Sequence, residues 1–91
     1  MTYKEFNKEI NKLRLGCEYG YSIITVYDPK SLYPLVYISQ TKLNRVIVTS
    51  NIVYLPKNVG YELLTLCYEL LTLCNELART PLDEREIVTL D

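Results

Sequence analysis

The chain has 91 residues, 48% of them hydrophobic and 23% charged, with four prolines and three glycines. That suits one globular domain over residues 1–91 with a modest core, and it excludes a disordered tail, a collagen-like repeat or a low-complexity linker. Ten lysines and arginines stand against eleven acids, for a formal charge of −1, and histidine, the commonest general base and metal ligand, is absent.

From the N-terminus, Thr2 and Glu5 have capping-box spacing, and Tyr3, Phe6, Ile10 and Leu13 recur at steps of three and four. The pattern predicts a helix over 3–14, with Gly16 as its stop. Tyr21–Tyr27 is rich in β-branched and aromatic residues and predicts a strand, followed by a turn at Asp28-Pro29-Lys30-Ser31. Leu35–Ser39 and Arg45–Thr49 predict two more strands. Ile52–Leu55 either extends the last of these after a kink or forms a fourth. Connections this short join antiparallel neighbours, so a meander is expected.

Residues 61–67 and 68–74 spell Tyr-Glu-Leu-Leu-Thr-Leu-Cys twice in succession. The repeat predicts a helix over 61–78 with two adjacent apolar stripes. One is Leu63, Leu66, Leu70, Leu73 and Leu77; the other is Leu64, Cys67, Leu71, Cys74 and Ala78. Glu62, Glu69 and Glu76 interrupt the apolar stretch and exclude a membrane span. Thr80-Pro81-Leu82-Asp83 restarts a short helix with Thr80 as cap, and 87–91 forms a last strand or a loose tail. The expected fold is therefore α+β in the order α-β-β-β-α-α: a short N-terminal helix, a three- to four-stranded meander, and a long C-terminal helix on one sheet face.

Cys17, Cys67 and Cys74 are odd in number, and no apolar leader follows Met1, so buried thiols in a reducing cytoplasm are expected. Cys67 and Cys74 lie two helical turns apart, about 10 Å, beyond disulfide reach. No cysteine pair has zinc-ligand spacing, and no metal or other cofactor is expected. The acids cluster on one helix face and there is no phosphate-binding glycine loop, so the chain reads as non-enzymatic.

Nine tyrosines and no tryptophan are the oddest feature. If Ile24, Val26, Val36, Ile38, Val46 and Val48 face the helices, alternation sends Tyr21, Tyr27, Tyr37, Arg45 and Thr49 to the opposite face. Such a face suits a protein partner or stacked bases, although tyrosine equally suits a half-buried strand. The double apolar sector of the long helix either packs wholly within the chain or leaves a stripe for a twin helix. Leu63, Leu66, Leu70, Leu73 and Leu77 are assigned to that homodimer seam. Residues 1–46 carry seven basic against four acidic groups, +3, and 47–91 three against seven, −4. That polarity favours a protein partner or self-association over a polyanion. The α-β-β-β-α order resembles double-stranded-RNA-binding domains, but a single Lys57 stands where those carry a basic cluster, so nucleic acid is not the expected partner.

The segment Cys74-Asn75-Glu76-Leu77-Ala78-Arg79-Thr80-Pro81-Leu82-Asp83-Glu84-Arg85-Glu86 resembles a recurrent motif of small proteins from phages infecting Gram-positive bacteria. There a helix ends in Ala-x-Thr-Pro-[Ile/Leu]-[Glu/Asp]-Glu-Arg-Glu. The similarity extends over residues 1–86, including Ile38–Asn44 and Leu55-Pro56-Lys57; the second heptad and the tail Ile87–Asp91 depart from it. The resemblance implies an accessory protein that binds and inhibits a host defence protein, such as a Cas9-type nuclease. Two other functions are open to these residues. In one, tyrosines from two protomers sandwich the base of a nucleotide while Lys42 or Arg45 holds its phosphate. In the other, the Tyr/Arg face binds nucleic acid.

Overall fold

Thr2 and Glu5 form the expected capping box: the Thr2 hydroxyl accepts from the Glu5 amide, and the Glu5 carboxylate accepts from the Thr2 amide. They open helix α1, Tyr3–Lys12, which buries Phe6 and Ile10. This is a computed structural model, and it describes residues 1–54 and 63–86. The expected fourth-strand residue Leu55, the helix start at Tyr61 and Glu62, and the tail 87–91 lie outside the described residues. Gly16 is not the helix stop. Leu13 closes α1, and Arg14 takes the left-handed turn at φ 61°.

Gly16 instead begins strand β1, Gly16–Tyr19, which the sequence did not announce. It is followed by β2 (Ile23–Tyr27), β3 (Pro34–Ser39) and β4 (Val46–Val48), paired antiparallel in the order β1-β2-β3-β4. The meander is as expected, but its fourth strand lies before the others. The residues considered for a fourth strand at Ile52–Leu55 fall largely in a 3-10 turn, Ser50–Tyr54. Thr49 and Asn51 end the ladder there, because both side chains donate to the Pro34 carbonyl (2.6 and 3.1 Å).

Asp28 organises the β2–β3 turn by accepting from the Lys30 amide and the Ser31 hydroxyl. The register then slips between Val26 and Tyr27, which pair with Val36 and Pro34, so Leu35 is an extra residue. This irregularity lets two consecutive residues, Leu35 and Val36, both be buried.

Helix α2, Leu63–Arg79, lies with α1 on one side of the sheet. Its buried line is Leu66, Leu70, Cys74, Leu77 and Ala78, packed with Phe6, Ile10, Ile24, Val26, Val36 and Ile38. This corrects the assignment of the first stripe to a homodimer seam. Leu66, Leu70 and Leu77 are buried inside one chain, Leu73 packs partly against the same core, and the Leu63 side chain lies outside the described residues. Among the described residues, one sheet and one short helix bury Leu66, Leu70, Cys74, Leu77 and Ala78 and partly cover Cys67, Leu71 and Leu73.

The C-terminal segment from Ala78 to Glu86 forms a clamp. Arg85 is fully buried, and among the described residues no carboxylate pairs with it. Its guanidinium donates to the carbonyls of Thr80 (3.0 Å), Ser39 (2.8 Å) and Ala78 (3.2 Å). The cation thus sits at the negative end of α2 and ties it to the end of β3. The Arg85 carbonyl in turn accepts from the Tyr3 amide (2.6 Å), and the N-terminal amine donates to the Thr80 hydroxyl (3.0 Å). Thr80 does not cap the short element after it; Pro81 precedes a 3-10 turn at Leu82–Glu84 with no side-chain cap.

Candidate functional site: a tyrosine-rich end of the sheet

In a four-stranded meander the first and third connections fall at the same end. Here these are the turn Gly20–Ser22 and the loop Gln40–Arg45. Gln40 joins them. Its amide donates to the Ser22 carbonyl (2.8 Å), its side-chain Nε2 donates to the Gly20 carbonyl, and its Oε1 accepts from the Tyr3 hydroxyl (2.7 Å). The loop is closed by Ser39, whose hydroxyl accepts from the amides of Thr41 and Lys42, and by Asn44 in the left-handed region at φ 57°. Asn44 also donates its amide to the Ala78 carbonyl at the end of α2.

Tyr3 and Tyr19 meet edge to face, with ring centroids 5.3 Å apart. With Lys4, Asn7 and Gln40 they line an open hollow of about 480 Å³. Beneath it the Cys17 thiol donates to Asn7 Oδ1 (3.1 Å) and lies 3.4 Å from the Tyr19 hydroxyl. Burial pushes the Tyr19 hydroxyl and the Cys17 thiol above their ordinary values, so both stay protonated at neutral pH. Glu86 also lines the hollow, so phenols and amides stand there beside both a cation and a carboxylate. Such groups can recognise a ligand by contact and hydrogen bonding.

The five residues assigned to a partner surface do not form one site. Tyr21, Lys42 and Arg45 come together at this end, all exposed. Tyr21 lies in the turn rather than on a strand, and its side chain is 102% exposed. Tyr37 sits half-buried in the middle of the outer sheet face, and Tyr27 lies at the far end of the sheet against Gly16. Of the residues expected to face the helices, Val48 pairs with the buried Val36 and so lies on that side, but the edge position leaves it exposed. Tyr3, Asn7, Tyr19 and Gln40 were missed. Their only local signal was the Gly20-Tyr21-Ser22 turn, which marks a hairpin tip but does not reveal what braces it.

Among the described residues no group of three or more Cys, Asp or Glu could hold a metal ion, and no helix is long and apolar enough to cross a membrane. Comparison with protein-family models, with curated proteins and with solved structures finds no match to this chain.

Proposed function

We propose that the protein is a non-catalytic interaction protein that docks a protein partner through the tyrosine-rich end of its sheet. The observation that carries this is Tyr21, a wholly exposed aromatic side chain on a turn pinned to Gln40 through two backbone carbonyls. An aromatic ring on a rigid mount loses little conformational freedom on binding, which is why tyrosine is enriched among binding hot spots. Tyr19 and Leu43 add exposed apolar surface beside it, and Lys42 offers a cation for a carboxylate on the partner. Taken with the resemblance of the C-terminal motif to phage proteins, the partner class is a host defence protein in the bacterial cytoplasm. A Cas9-type nuclease is the first candidate, blocked sterically or allosterically. A net charge of −1 is far too small for DNA mimicry.

The test is capture of purified defence proteins on immobilised chain, followed by titration of any that bind. Tyr21→Ala is expected to weaken binding at least tenfold, with Lys42→Glu adding to the loss, while both variants keep the wild-type melting temperature. Binding indifferent to both substitutions would overturn the proposal. Co-purifying absorbance near 260 nm, or a salt-dependent oligonucleotide shift, would instead point to a nucleotide ligand or a nucleic acid.

A further inference from the structure

Both helices pack on one side of the sheet, and among the described residues nothing lies over the other. On that outer face the register sets Glu18, Thr25, Tyr37 and Ile47 in one row across all four strands. Two residues further along lie Ile23 and Ser39, with Arg45 beyond them, where the Ser39 amide donates to the Arg45 carbonyl (3.0 Å). The face is apolar for an open surface: Ile47 is 57% exposed and Ile23 43%. It is also uneven. On the β1–β2 side Glu18, Thr25, Tyr27 and Leu32 border a hollow of about 460 Å³. On the opposite edge, in the same row, Ile47 stands proud.

We propose that this face is covered by a second copy of the chain, related by a twofold axis that runs along the strands between β2 and β3. Such an axis exchanges β1 with β4 and preserves position along the strand. Each Ile47 is thereby set over the Glu18–Thr25 row of the other copy, where the hollow lies. The same exchange brings each Arg45 towards the other copy's Glu18. They are offset by two residues, about 7 Å, across sheets about 10 Å apart, a gap that extended Glu and Arg side chains close. The surface is thus self-complementary in shape and in charge, as an isologous interface requires, and each contact forms twice. An acidic edge and a basic edge on one face would leave an unrelated partner to match both. A second copy matches them by symmetry.

Four strands about 4.8 Å apart and some five residues deep make a footprint of about 19 by 17 Å. That is about 320 Å² per copy, roughly 650 Å² in all, below the about 1,200 Å² where stable interfaces begin, so the dimer is a weak one with an expected dissociation constant on the order of hundreds of micromolar. Sedimentation equilibrium of the full chain up to about 0.5 mM should show a species of twice the 10.6 kDa chain mass. Ile47→Lys should raise the dissociation constant at least tenfold with circular dichroism and melting unchanged, since the side chain is already exposed in the single chain. Glu18→Arg and Arg45→Glu should each weaken the dimer, and the two together should restore it. A monomer throughout, a dimer indifferent to Ile47→Lys, or a double reversal no better than the singles would each overturn the proposal. Tyr21→Ala should leave the dimer intact, so this face and the partner end fail or stand separately.

Discussion

Replacing Arg85 with methionine tests whether the C-terminal clamp holds the fold together. Methionine keeps the length of the buried stem and removes the guanidinium with its three hydrogen bonds. The carbonyls it leaves are not equivalent. Ala78 O still accepts from the Asn44 amide at 2.9 Å, and the Thr80 carbonyl is only part-buried, so water replaces the lost donor there. The bond to the Ser39 carbonyl is buried, and that oxygen loses its guanidinium donor. Leaving one buried acceptor unsatisfied costs about 1–3 kcal/mol, and each bond to a charged donor is worth about 1.5–3 kcal/mol. Against this, the variant no longer desolvates a charge, which offsets part of the loss. The balance is a destabilisation of about 2–4 kcal/mol, a large share of the roughly 5–15 kcal/mol that a domain commands. In urea the midpoint should fall at unchanged slope, and the melting temperature should drop by about 10–25 °C. Arg85→Lys should recover little, because one ammonium cannot span carbonyls on both α2 and β3. Hydrogen exchange should speed up first at the Tyr3 and Asn44 amides, which bond to the Arg85 and Ala78 carbonyls. If Arg85→Met melted at or above the wild-type temperature, the buried cation would be a cost that the fold tolerates, and the clamp reading would be wrong.

Three further outcomes follow from the same structure. Leu70→Ala, in the buried line of α2, should cost about 2–5 kcal/mol in urea titration, whereas Thr72→Ala on the exposed face should stay within about 0.5 kcal/mol. Equal midpoints would refute the helix-face assignment, and Leu70→Asp should not fold at all. Hydrogen bonds from the Thr2 amide and then its hydroxyl hold the Glu5 carboxyl below its ordinary value of 4.5. Its contribution is therefore complete above that pH and is lost as pH falls through the depressed folded value, so the gap between wild type and Glu5→Ala should narrow in acid. A gap constant from pH 7 to pH 3 would contradict the capping box. Burial pushes the Cys74 thiol up to about 12, so at pH 8 it is protonated and should resist alkylation until the chain unfolds. Peptide mapping that found Cys74 labelled in folded protein would disprove its place in the core.

The two helices were legible because their signals are local. A capping box and a three-four stripe lie within one or two turns, and α1 and α2 fall where those signals end. What periodicity could not settle was the covering of each stripe. Leu66, Leu70 and Leu77 would look the same in a sequence that seams to a twin helix. The candidate site was legible only in parts for a related reason. Tyr21, Lys42 and Arg45 belong to segments that Gln40 joins across about twenty residues, and no window along the chain contains that bond. The C-terminal motif stood out as a string of letters, yet the role of Arg85 depends on β3 lying against the end of α2. Strand β1 shows the limit most clearly. Gly16-Cys17-Glu18-Tyr19 contains no β-branched residue, and its glycine reads as a helix stop. It is a strand because β2 supplies a ladder and because Cys17 and Tyr19 turn towards α1. The glycine is explained by that pairing. A Cβ at position 16 would stand 2.7 Å from Cζ of Tyr27, so the ring could not lie across the strand without moving. Gly16 marks contact with a residue eleven positions away, and only the folded sheet makes that meaning visible.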